Sequence, residues 1–140
     1  GWMHNRVRMI VGSFLVKHLL INWTEGEKHF KNCLLDYNEA NNVSGWQWVA
    51  GCGADAAPYF RIFNPILQGE KFDKNGEYVK KWVPELKNYP SKYIHKPWEL
   101  DIKFQESIKT IIGKDYPAPI VVHEEARKKA LSAFQTLKKN

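Results

Sequence analysis

The residues best suited to chemistry lie between Gly45 and Pro65, GWQWVAGCGADAAPYFRIFNP. Trp46 and Trp48 stand two residues apart, just after the paired amides Asn41 and Asn42. An indole offers a large flat face with one polar N–H and is costly to expose. Two of them beside paired amides suit a planar ligand with polar edges, such as a nucleobase or an isoalloxazine ring. Ordinary core packing accounts equally well for either indole taken alone, and Asn41 and Asn42 can equally be turn formers. The segment ends in a basic-aromatic run, Tyr59-Phe60-Arg61-Ile62-Phe63.

A second cluster, Asn5, Arg6, Arg8 and Met9, sits near the start of a segment with helical apolar spacing, Met3 to Ile21. Arg8, between Val7 and Met9-Ile10, wants a carboxylate if buried; an exposed helix surface is the alternative for both arginines. The common catalytic patterns are missing. The five His residues show neither HExxH nor ligand-pair spacing, which excludes a recognisable metal site, and no GxSxG or Walker loop occurs. Gly51-Cys52-Gly53-Ala54-Asp55-Ala56 fits GxGxxA but lacks a preceding strand, so it is a weak dinucleotide signal. With no familiar nucleophile, any chemistry points to a cofactor.

The elements that must position these groups read as helices. Met3 to Ile21 carries Val7, Ile10, Val11, Phe14, Leu15, Leu19 and Leu20 at helical intervals. Thr24 with Glu27 forms a capping box that opens a helix from Glu25 to Leu35, with Trp23 as its hydrophobic staple. Asp36 to Ser44 reads as a polar connection, followed by a short helix around Trp46 and a loop to Pro65. One or two helical turns follow from Pro65 to Phe72, then a turn, Asp73-Lys74-Asn75-Gly76. Glu77 to Leu86 is an amphipathic helix with Tyr78, Val79, Trp82 and Val83 on one side, and Lys87 to Pro97 is a loop. Glu99 to Ile112 is a weaker helix, Tyr116 to Ile120 is extended, and His123 to Lys139 is a basic helix with Ala126, Ala130, Leu131, Phe134 and Leu137 inward. No segment alternates with a two-residue period, so the expected class is all-α.

The 140 residues suffice for one domain with a core, and six Trp, six Tyr and seven Phe make it aromatic-rich. The net charge of +6 allows an anionic partner, although much of the excess is a C-terminal run that a solvated helix face also explains. Cys33 and Cys52 lack CxxC spacing, the pattern of a reduced, cytoplasmic chain. No apolar run reaches membrane-spanning length, because Gly12, Ser13, Lys17 and His18 break Ile10 to Ile21. A start at Gly1-Trp2, within what reads as a site, is expected of a piece of something longer.

Several blocks together carry a family resemblance. They are Gly1 to Met9 (GWMHNRVRM), Asn41-Asn42 with Gly45-Trp46-Gln47-Trp48, and Asp55 to Pro65 (DAAPYFRIFNP). Gly69 to Asp73, Tyr116 to Val121 and Glu125-Ala126-Arg127 extend the match, with only Leu100 to Lys114 loosely covered. In order and spacing they resemble the C-terminal part of the helical FAD-binding domain of the DNA photolyase/cryptochrome superfamily. The Met-His-Asn-Arg block resembles the class I enzymes that act on cyclobutane pyrimidine dimers. The resemblance makes residues 1–140 the C-terminal portion of that domain, without the N-terminal antenna domain or its chromophore.

What the resemblance implies is a deoxyribodipyrimidine photolyase using FAD, reduced to FADH⁻ in its active state, on a flipped-out pyrimidine dimer in damaged DNA. The implied parent is a monomeric, DNA-associated protein, and the 140 residues alone would be inactive. Trp2, Asn5, Arg8, Asp36, Asn38 and Asn42 would face the cofactor, with Arg8 and Asp36 as a buried ion pair. Trp46 and then Trp23 would pass electrons to the flavin. Asn5, Arg6, Met9 and Trp48 would line the dimer pocket, and Arg61 and Lys71 would meet phosphates. The alternatives are a cryptochrome-like blue-light photoreceptor and a non-catalytic helical nucleic-acid-binding module.

Overall fold

The structure, a computed structural model, describes residues 1–138. Its α-helices are, in chain order, α1 (Asn5–Ser13), α2 (Trp23–Cys33), α3 (Glu39–Ala50), α4 (Pro65–Phe72), α5 (Glu77–Trp82), α6 (Ile102–Ser107) and α7 (His123–Lys138). A π-helical turn, Phe14–His18, continues α1, and 3-10 turns span Pro84–Leu86 and Pro97–Glu99. No strand forms among the described residues, so the expected all-α class holds; Ile112 and Tyr116 make an isolated bridge. The helices pack as two units. One contains Gly1–Phe63 and the segment from Val121 onward; the other is Asn64–Ile120.

In the first unit, the predicted helix from Met3 to Ile21 resolves into α1 and the π turn. Leu19 N–H donates to the Phe14 carbonyl at 3.0 Å, a five-residue step. Leu20 then closes the run at φ 53°, a left-handed conformation that costs an L residue about 1–2 kcal/mol. The wider turn inserts one residue and shifts the buried face. Lys17 and His18 therefore turn inward, while Leu20, expected inside, is exposed.

The cap of α2 is Asn22 rather than Thr24, its side chain accepting from Thr24 N–H. Asn is at least as good an N-cap as Thr, and it leaves Glu27 free for other partners. The helix consequently starts at Trp23 and stops at Cys33, with Leu34 already extended. Likewise α3 begins at Glu39, well inside the expected polar connection. Asn38 caps it by accepting from Asn41 N–H at 3.0 Å, which turns the amide run into the first turns of the helix. Gly51, at φ 77°, ends it in the left-handed conformation that glycine adopts without a Cβ penalty. The GxGxxA match is thus a helix C-cap.

Helix α7 buries Ala126 and Ala130 and sets Phe134 against Tyr59, with ring centroids 5.8 Å apart. Leu137, expected inward, is exposed, since the packed face ends a turn earlier; Lys139 lies outside the described residues. No helix of the described residues is long and apolar enough to cross a membrane.

The second unit gathers around buried Leu86, Tyr89, Ile94 and Leu100, with Val79 and Val83 packed against them. The expected helix to Leu86 breaks at Val83 because Pro84 lacks an N–H and disfavours helical geometry in the residue before it. Tyr78 and Trp82, expected beside Val79 and Val83, are exposed. The Glu99–Ile112 segment keeps only α6, which Asp101 caps. The Asp73–Gly76 turn forms as expected, with the Asp73 carboxylate accepting from Tyr78 and Val79 N–H.

Candidate functional site

Faces of α1, α2 and α3, with the segment after α2, line an open cavity of about 530 Å³ in the first unit. From α1 come Asn5, Arg8, Met9 and Gly12, spaced three, four and seven residues from the first. From α3 and its cap come Asn38, Asn41, Asn42, Gly45, Trp46, Trp48 and Val49. Phe30 of α2, with Leu34, Asp36 and Tyr37 of the segment after it, supplies the rest. The size falls within the range of small-molecule sites.

The back wall is aromatic. Trp46, 4% exposed, meets Phe30 edge-on at 5.0 Å, and its ring lies so close to Gly26 that a Cβ there would overlap it. Trp46 Nε1 is buried and hydrogen-bonds to nothing among the described residues. Trp23 is one turn before Gly26 on α2, on the helix face that carries Trp46. Trp48 is half-buried, with the Arg61 guanidinium 6.0 Å from its ring centroid, at the outer limit of cation–π contact.

The rim is polar. Arg8 Nη2 donates to both Asp36 carboxylate oxygens, at 2.8 and 2.9 Å, and Arg8 Nε donates to the Met3 carbonyl at 2.7 Å. The expected ion pair exists, but it is not buried: its side chains are 25% and 36% exposed, because both stand at the cavity's margin. Asn42 Nδ2 donates to the Glu27 carbonyl at 3.0 Å and to Glu27 Oε1 at 3.3 Å. Its two donor hydrogens thereby have partners on α2, leaving the Oδ1 acceptor for an occupant of the cavity. Glu27 also accepts from the Tyr37 hydroxyl at 3.5 Å. Burial, then the Glu39 and Glu27 charges, pushes the Tyr37 phenol pKa up.

The remaining expected residues separate. Asn5 lines the cavity and donates to Met9 Sδ at 3.7 Å. Asn38 also lines it, although its side-chain oxygen is engaged as the α3 cap. Trp2 is 72% exposed and Arg6 is half-buried; neither is a lining residue. The backbone beside Trp2 is nevertheless fixed, Leu35 N–H donating to the Gly1 carbonyl at 3.1 Å. Lys71 is exposed on α4, in the second unit, with Nζ 5.2 Å from the Phe72 ring centroid. Phe30, Tyr37 and Glu27 join the site unannounced. Glu27 reads in sequence as half of a capping box, and no local motif marks the other two.

Residues 1–136 match the family model described as the FAD binding domain of DNA photolyase. The chain belongs to that photolyase domain family. The Agrobacterium fabrum protein named deoxyribodipyrimidine photo-lyase is 58% identical over 139 residues, 99% of this chain and 29% of the relative. A solved structure of a bacterial class III photolyase from Agrobacterium tumefaciens superposes with TM-score 0.94 at 58% identity, covering all of this chain and 29% of that one. A Synechocystis cryptochrome structure gives TM-score 0.87 at 40% identity, covering 94% of this chain and 27% of that one. The chain thus spans under a third of these proteins' lengths. Class I is a finer assignment than these photolyase matches resolve.

The photolyase cavity suits the flavin that its family description names. An aromatic wall and a polar rim match a flat ring with hydrogen-bonding edges. Asn42 Oδ1 is the clearest mark of fit, an acceptor left over once Glu27 has taken both Nδ2 hydrogens, and the exposed Gly45 adds no side chain to the lining.

Proposed function

We propose that this chain forms one wall of the flavin and lesion sites of a class I photolyase that repairs cyclobutane pyrimidine dimers in DNA under blue light. The observation that carries the reading is the juxtaposition in one cavity of Asn42, the Arg8–Asp36 pair, Trp46 and Trp48. Reduced FAD, when bound, supplies the light-excited electron that splits the cyclobutane ring and takes it back afterwards. The chain's residues hold, feed and cover that chemistry.

Asn42 offers Oδ1 to a ring N–H, its orientation set by Glu27. Arg8 and Asp36 hold the polar edge as a nearly charge-neutral pair, and Asn38 lies beside them. Asn5 completes the cofactor wall from α1. Trp46, packed without slack between Phe30 and Gly26, is the electron donor nearest the cavity, and Trp23 is the next. Extruding a damaged base costs a few kcal/mol, least where stacking is already disrupted. Trp48 stacks on the extruded dimer, worth about 1–3 kcal/mol, while Asn5 and Met9 line its pocket. Arg61 and Lys71 meet phosphates, which gives sequence-independent, salt-sensitive affinity. Damaged DNA is the partner, and the protein acts as an intracellular monomer.

Equilibrium binding of the full-length flavoprotein to duplexes with and without one thymine dimer tests this. The expected preference for the dimer shrinks about five- to 150-fold in Trp48→Ala. An undiminished preference would remove Trp48 from the lesion site. The cryptochrome relative favours a second reading, a blue-light photoreceptor, for which dimer preference would be absent in the unsubstituted protein.

A further inference from the structure

The loop that follows α3 is held from beneath by two side chains of the α1–π segment. Lys17 Nζ donates to the Arg61 carbonyl at 2.6 Å, and Ser13 Oγ accepts from Phe63 N–H at 3.2 Å. Ser13 and Lys17, four residues apart, are each 1% exposed. Further back, Ala57 N–H donates to the Trp48 carbonyl at 2.9 Å, and Arg61 N–H to the Pro58 carbonyl at 2.9 Å. The loop is therefore fixed to Trp48 at one point, to the end of α1 through Ser13 and to the π turn through Lys17. Between them Arg61 projects an exposed guanidinium over the Trp48 ring.

Burying an ammonium is costly when no carboxylate accompanies it. Lys17 has no ion pair among the described residues, and Arg61 adds a like charge nearby. Burial first, and the Arg61 charge second, lower its pKa to about 8. A methionine would fill this position more cheaply. What the ammonium supplies is a strong, charge-assisted hydrogen bond to one backbone carbonyl.

We propose that Lys17, aided by Ser13, is a positioning residue that braces the Arg61–Phe63 backbone and so aims the Arg61 guanidinium at a DNA phosphate beside Trp48. The phosphate half of this rests on the proposed DNA-binding function; the brace itself does not. Being buried, Lys17 cannot touch a phosphate directly.

Two readouts on the full-length flavoprotein separate these halves. Hydrogen exchange reports the brace: Lys17→Met is expected to speed exchange at the Arg61 and Phe63 amides at least tenfold while the α3 amides keep their protection. Unchanged exchange at those amides would overturn the proposal, whatever happens with DNA. Salt-dependent binding to an undamaged duplex reports the phosphate. Losing one contact flattens the slope of log K against log salt by about 0.9, roughly an eightfold loss at 0.1 M.

Lys17→Met is expected to reproduce that flattening, to match Arg61→Ala, and to add nothing in the double variant. An unaltered slope, or losses that add, would make Lys17 a core residue only. Should Lys17→Met not fold, Ser13→Ala is expected to flatten the slope by a smaller amount and to speed Phe63 exchange, and no change in either would overturn the brace. Absence of salt-dependent binding in the unsubstituted protein would defeat the proposed function and leave the exchange result to decide the brace.

Discussion

Two glycines sort the packing of the site from its purpose. Gly26 lies under the Trp46 ring, so Gly26→Ala forces the indole or α2 to move. Overpacking of this kind costs about 1–3 kcal/mol, and the melting temperature of Gly26→Ala is expected to fall by several degrees. A Cβ at Gly45 meets only open space, and alanine is better than glycine in a helix by about 0.5–1 kcal/mol. Gly45→Ala is therefore expected to keep or raise stability while weakening flavin retention tenfold or more. Spectroscopic titration with FAD checks it, and undiminished retention would mean that the cavity beside Gly45 is not the flavin pocket. Neither role is legible in sequence: Gly45 reads only as part of the Gly45–Trp48 block, and nothing local marks Gly26. The tryptophans were legible as a site, since two indoles beside paired amides are unusual company; that Trp46 is at once core and site wall was not.

Among the elements, the π turn carries the largest departure from the expected helix, and it has a titratable consequence. His18 is buried on it, with Nε2 2.8 Å from Nδ1 of His123 at the start of α7, and Nδ1 without a hydrogen bond among the described residues. Such a contact needs one donor and one acceptor, so both rings cannot be doubly protonated and keep it. Burial and then the His123 charge hold the His18 pKa below its usual 6.5, against a smaller opposing effect of the Ser13 carbonyl.

The unfolded chain takes up a proton at His18 near pH 6.5, while the folded chain resists. Stability is thus full above that pH and is lost progressively as pH falls through the depressed folded value. The melting temperature is expected to drop between pH 7.5 and 5.5, and His18→Gln, which can still pair with His123, is expected to flatten that drop. An equal drop in both proteins would exclude His18 as its cause. Apolar spacing located α1 and α7 but could not show this turn, because a one-residue insertion leaves the pattern upstream intact. Helix starts erred for a related reason. At α2 and α3 the cap is Asn22 or Asn38, and an Asn-rich stretch has no periodicity to announce a helix.

At the scale of the molecule, the sequence blocks, the match to residues 1–136 and the all-α architecture of the described residues all place the chain in the photolyase FAD-binding domain family. Arg8 meets Asp36, and Asn42, Trp46 and Trp48 share one cavity as expected, whereas Trp2 stands exposed and Lys71 belongs to the second unit. Long-range pairs such as Lys17 with Arg61 and Glu27 with Asn42 were illegible, since partners 44 and 15 residues apart leave no local pattern. The chain covers under a third of the length of these relatives.

The most direct test is conversion of a single thymine dimer in a duplex oligonucleotide by the full-length flavoprotein, under blue light and in darkness. Repair in light alone, abolished when the flavin is removed, is the expected result. A flavin-loaded, light-responsive protein that leaves the dimer intact would contradict the repair function and favour the photoreceptor.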